Sequence, residues 1–138
     1  MTLTDKDKAE VVALWAKIEL EFKTLGKEVA RWMAGTFHTT KLYIENKPNF
    51  PEKIMAALGE AVQHIDNLSE DLSAFTGLKM PHFDFYTLLI HVLLILIGAH
   101  FPNDLNSSMH AAWVKFFIEI QKILFPEETN DPNCFCIF

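Results

Sequence analysis

Cysteine is nearly absent: only Cys134 and Cys136 occur in 138 residues, both within the last five positions. Bridged cysteines need Cα atoms about 5.5–6 Å apart in a specific geometry. An i,i+2 disulfide is therefore excluded as a scaffold, and a reducing, cytoplasmic context is expected. Glycine and proline are also scarce, at five and six residues, which excludes collagen-like and loop-rich folds. Basic residues are few and scattered, 12 Lys and Arg against 18 Asp and Glu for a net charge of −6. Nucleic acid is excluded as a partner on that ground, because phosphate neutralisation requires clustered cations. No apolar run reaches the roughly 20 residues of a membrane span; the longest, 85–99, is interrupted by His91. Residues 1–8 lack the apolar core of a signal peptide, and no membrane partner is expected.

Half the residues are apolar and twelve are phenylalanine, enough to bury the core of one domain. The apolar positions recur with a helical period. Thr4 with Asp7 three residues on forms a variant capping box, followed by Val11, Trp15, Ile18 and Phe22 at i, i+4, i+7 and i+11. A second helix starts around Thr24 to Gly26 and carries Leu25, Val29, Trp32, Met33 and Phe37. After an irregular stretch from Lys41 to Asn49, Pro51 suits the first turn of a third stripe, Ile54, Leu58, Ala61, Val62 and Ile65, ending near Asn67. Ser69 caps a short successor with Leu72, Phe75 and Leu78. Asp84 sits where an N-cap belongs for the apolar helix 85–99, closed by Pro102. Asn106 or Ser107 opens the last helix, with Met109, Trp113, Phe116, Phe117, Ile120 and Leu124. The β-branched residues between Ile90 and Ile97 do not make a strand, since the run exceeds the usual 5–6 residues or so. The fold class is all-α, with residues 1–125 as one domain and 126–138 as a polar, flexible tail.

Several segments carry a specific resemblance. Residues 3–18, Phe37-His38-Thr39-Thr40-Lys41-Leu42-Tyr43, Ala61-Val62-Gln63-His64-Ile65-Asp66, Leu72-Ser73-Ala74, Leu88-Leu89-Ile90-His91, Gly98-Ala99-His100-Phe101-Pro102 and Met109-His110-Ala111-Ala112 follow one another in family order. The chain resembles the α chains of vertebrate haemoglobin, with a bony-fish flavour, over roughly residues 3 to 125. That resemblance implies a globin fold of about seven helices around a former haem pocket.

The departures from the family bear on function. Aligning the long helix on Leu58, Ala61, Val62 and His64 puts Phe50 at the position of the family's distal His. Aligning the short helix on Leu72-Ser73-Ala74 and Leu78 puts Lys79 at the proximal position, with the family's spacing between the two preserved. Ile44 replaces a haem-packing Phe, the loops at 45–48 and 80–83 are shortened, and the C-terminal Tyr-Arg pair is replaced by Glu127-Glu128. Ordinary haem binding and oxygen carriage are therefore expected to be lost, with no cofactor in their place. If haem does bind, the resemblance leaves Lys79, Met80 or His82 as its unusual ligand.

The leading expectation is a non-enzymatic binder of a small apolar or amphipathic ligand. Its pocket is lined by Tyr43, Ile44, Phe50, Ile54, Leu58, Phe75, Leu78, Tyr86 and Leu89, with Lys79 at one end. Two readings stand for the Lys79 amine: it meets an anionic group inside the pocket, or it snorkels out through the opened wall. The alternative role is structural, with the pocket collapsed and the old subunit surface meeting a second copy or another globin chain. That surface comprises Trp32, His91, Leu105, His110 and Val114, of which Trp32 and Val114 replace charged residues expected from the family. No catalytic residues are expected, because no Ser or Cys nucleophile has a credible base and the acid pairs, such as Glu70-Asp71, read as solvated faces. No metal site is expected either, since no histidines stand at zinc spacing. The terminal Cys134-Phe135-Cys136-Ile137-Phe138 does not form a prenylation signal, whose Cys would stand at 135.

Overall fold

Thr4 opens the first helix, α1 (Asp5–Ile18), through the expected capping box. The Asp7 backbone N–H donates to the Thr4 hydroxyl and the Thr4 N–H donates to the Asp7 carboxylate, each at 3.1 Å. Lys115, from the far end of the chain, adds a second donor to that carboxylate at 3.1 Å. The Thr4 backbone hydrogen bond, helped by Lys115 and opposed by burial, holds the Asp7 carboxyl below its usual pKa. A lowered folded-state pKa contributes stability that is complete above the unfolded value near 3.9 and disappears as pH falls through the folded one. Asp7→Asn is accordingly expected to cost about 1–2 kcal/mol at neutral pH, in line with loss of a cap. In urea melts taken between pH 7 and pH 3 the gap to the parent should shrink on the acid side; a constant gap would refute the assignment.

The computed structural model describes residues 3–36, 41, 44–47, 49–68, 83–104 and 106–125. Among them five α-helices and one 3-10 turn are bounded: α1, the turn Glu19–Glu21, α2 (Phe22–Thr36), α3 (Phe50–Gln63), α4 (Phe83–His100) and α5 (Ser107–Leu124). No strand occurs among the described residues, and no helix there is long and apolar enough to cross a membrane. The short helix expected at 69–78 and the tail 126–138 lie outside the described residues.

The helix stripes follow the sequence with four corrections. Phe22 does not continue the buried stripe of α1 but is 36% exposed at the start of α2. The intervening 3-10 turn winds at three residues per turn and takes it out of phase. The second helix accordingly begins at Phe22, ahead of the expected Thr24. α3 stops at Gln63 rather than near Asn67, because His64 leaves helical geometry and the chain turns through a bond from Asn67 N–H to the His64 carbonyl at 2.8 Å. α4 already begins at Phe83, so Asp84 falls inside the helix rather than at its N-cap. Pro51 stands in the first turn of α3 as expected, and Asn106 caps α5 by accepting the Met109 N–H at 2.9 Å.

Packing joins the two ends of the chain: α1 lies on α5, while α2 packs on both α3 and α4, and α1 also meets α3. One core runs through all five helices, centred on Val11, Leu14, Val29, Met33, Ile54, Tyr86, Trp113, Phe116 and Phe117. Gly26 brings α2 close to α3, since a Cβ there would lie 2.7 Å from the Pro51 carbonyl oxygen. His100, at the end of α4, is tied to Glu28 of α2 at 2.8 Å, which gives it a structural role.

Candidate functional site

The start of α3 and the start of α4 build the site. Phe50, Ile54 and Leu58 recur every four residues along one side of α3, and Tyr86 and Leu89 come from α4; each is at most 2% exposed. Phe50 meets Phe85 edge to face, with ring centroids 5.7 Å apart and planes at 82°. That arrangement sets the positive edge of one ring on the negative face of the other. Phe85 was not among the expected pocket residues. It lies in a segment apolar all round, where periodicity assigns no inward face.

Tyr86 locks the same end of α4 onto α5. Its phenol donates to the Phe117 carbonyl at 2.8 Å, and its ring lies 5.6 Å from that of Phe125. Complete burial pushes the phenol pKa well above the usual value, so it stays protonated and keeps donating. This is an anchor with no acid–base partner.

Leu58 lines a void of about 10 Å³ shared with Trp15, Leu25, Met55, Leu93 and Trp113. That is about the least room a water needs, and the apolar lining gives a water no partners. Ile44 is half-buried against the core. Tyr43, Phe75, Leu78, Lys79, Met80 and His82 lie outside the described residues, as do Leu105, Cys134 and Cys136.

The expected subunit surface falls on three helices. Trp32 of α2 is 50% exposed, His110 of α5 is exposed, and Val114 of α5 and His91 of α4 are half-buried. Sequence reasoning missed Ile95, one turn after His91, which is 59% exposed within the most apolar helix. The i,i+4 relation to His91 was the available signal. Among the described residues no three His, Cys, Asp or Glu side chains converge on a metal-sized site.

The sequence profile of the globin family matches residues 29–124. The chain is a globin. It is 33% identical over 137 residues to hemoglobin subunit alpha-4 of Xenopus laevis, with 90% of this chain and 96% of that protein covered. Hemoglobin subunit zeta of Homo sapiens is 31% identical over 138 residues, with the same coverage of each. This globin thus spans nearly the full length of haemoglobin α-type subunits, and its five described helices are consistent with their fold.

Proposed function

We propose that this haemoglobin α-like globin has given up ordinary haem ligation, and that what remains of its cavity takes a small apolar or amphipathic ligand. The observation that carries the reading is Phe50. It stands at the position the resemblance assigns to the distal His, is buried, and packs edge-on against Phe85. A phenyl ring neither ligates iron nor donates a hydrogen bond to an iron-bound gas, and the space beside it is taken by a second ring. These residues do not fit an ordinary haem on that side. At the proximal position Lys79 replaces the imidazole that haem iron takes in globins. Ile54, Leu58 and Leu89, apolar and at most 2% exposed, would supply the apolar lining that such a ligand needs. On this proposal the ligand carries an acid or carbonyl to meet the Lys79 ammonium, because burying a cation without a partner would be costly. The role is binding, without catalysis.

A second reading, association through the old subunit surface, is favoured by Trp32 and Ile95, two large apolar side chains half or more exposed. The partner on that reading is a second copy or another globin chain.

One preparation tests both. Expressed with ample haem, the protein is expected to lack a Soret band at one haem per chain, and native mass spectrometry is expected to show a small co-purifying molecule that Lys79→Met diminishes. A stoichiometric Soret band overturns the proposal. If that band survives Lys79→Met and vanishes on His82→Ala, unusual haem ligation replaces it. A ligand-free dimer that Ile95→Glu dissociates puts the association reading first.

A further inference from the structure

Outside the former haem region, a cleft of about 400 Å³ opens between the end of α1, the 3-10 turn and α3, lined by Trp15, Glu19, Phe22, Met55, Ala56, Gly59, Glu60, Gln63 and His64. Two walls make it. Trp15, Glu19 and Phe22 reach it from α1, the 3-10 turn and the first residue of α2, and Ala56, Gly59, Glu60 and Gln63 stand opposite on α3 at i, i+3, i+4 and i+7. Gly59 lets α3 pack closely on the edge of the Trp15 indole, which is 8% exposed, since a Cβ there would lie 3.1 Å from Cζ2 of that ring. Its volume falls in the range of about 300–1,000 Å³ typical of small-molecule sites.

The cleft has a definite electrostatic sense. Its charged carboxylate lining is Glu19 and Glu60, and α3 ends at it with His64 as its C-cap residue, whereas α1 runs on through the 3-10 turn into α2. Helix C-termini carry about half a negative charge from carbonyls without intrahelical partners, and α3 has no basic side chain in its last turn to offset it. The one basic residue in the last turn of α1, Lys17, is engaged with Asp104 of the α4–α5 connection. Trp15 and Phe22 add aromatic surface, and Trp is the strongest partner for a cation among the aromatic side chains.

We propose that this cleft binds a small organic cation, an ammonium group carrying an apolar body, with the charge between Glu19 and Glu60 and the body on Trp15 and Phe22. The cleft shares no residue with the ligand pocket proposed above, whose ligand would carry the opposite charge, so either proposal can fail alone.

Choline and its uncharged carbon isostere, 3,3-dimethylbutan-1-ol, are the smallest probes of this chemistry. Titrated into the full chain and followed by amide and indole NMR shifts, choline is expected to give saturable shifts confined to the Trp15 indole and residues 19–22 and 59–64. It should bind at least about tenfold tighter than the isostere, a difference of about 1.4 kcal/mol. The exposed or half-buried pair Glu19→Gln with Glu60→Gln should remove that preference, whereas Glu45→Gln, which does not line the cleft, should not. Equal response to both probes overturns the proposal. So do choline shifts spread over the acidic surface that persist in the double variant, which would mark diffuse counter-ion binding to a chain of net charge −6. A thermal melt of the double variant checks that it folds; if it does not, the comparison of the two probes on the parent chain decides.

Discussion

Gly26→Val is expected to destabilise the protein by about 3 kcal/mol, the upper end of the usual cost of overpacking. In an ordinary helix interior, replacing glycine by a residue with a side chain tends to stabilise, because glycine loses the most backbone freedom on folding. Here the first added carbon meets the Pro51 carbonyl oxygen at 2.7 Å and Met55 Cγ at 3.1 Å. The methionine can move, but the carbonyl is backbone in the first turn of α3. To relieve the clash α3 must retreat from α2, and that retreat would disturb Phe50, the neighbour of Pro51, in its contact with Phe85. Gly35 provides the control: a Cβ there meets nothing within 4 Å, so Gly35→Ala should leave stability unchanged or raise it by up to about 1 kcal/mol. Urea denaturation of the two variants beside the parent gives the contrast. Equal midpoints for Gly26→Val and the parent would show that the two helices do not depend on close approach.

Truncating Trp113 should be costlier still, about 3–5 kcal/mol for Trp113→Ala. The indole is fully buried in α5, with ring centroids 5.5 Å from both Phe116 and Phe117, and it borders the small void beside Leu58. A cavity there would enlarge a defect already present, at the junction of α1, α2, α3 and α4. Yet the indole N–H is buried with no acceptor. A buried unsatisfied donor costs about 1–3 kcal/mol, and Trp113→Phe removes it while keeping most of the aromatic surface. That variant should therefore lie within about 1 kcal/mol of the parent. Thermal unfolding of both separates the two contributions: if Phe is as damaging as Ala, shape dominates and the orphaned donor carries no penalty.

Burial of the candidate residues on α3 and α4 was legible as helix phase. Ile54 and Leu58 repeat every four residues behind Pro51, and all five expected pocket residues on α3 and α4 are buried. Phe85 and Ile95 were not legible, because between Phe85 and Ile97 nearly every position is apolar and no stripe distinguishes inside from outside. One turned out to be the partner of Phe50, and the other an exposed side chain one turn from His91.

By itself the sequence determined the helices, their caps at Thr4 and Asn106, the proline in the first turn of α3 and membership of the globin family. These depend on residues within about one turn of each other, or on order along the chain, and so are written in the string. Tertiary structure decided the rest: the exposure of Phe22 after a 3-10 turn, the α2–α3 contact at Gly26, the Phe50–Phe85 pair and the acidic cleft between α1 and α3. The last three arise where faces separated by tens of residues meet. Periodicity specifies that a helix has an apolar side, but only the packing of whole helices specifies which side chain stands opposite.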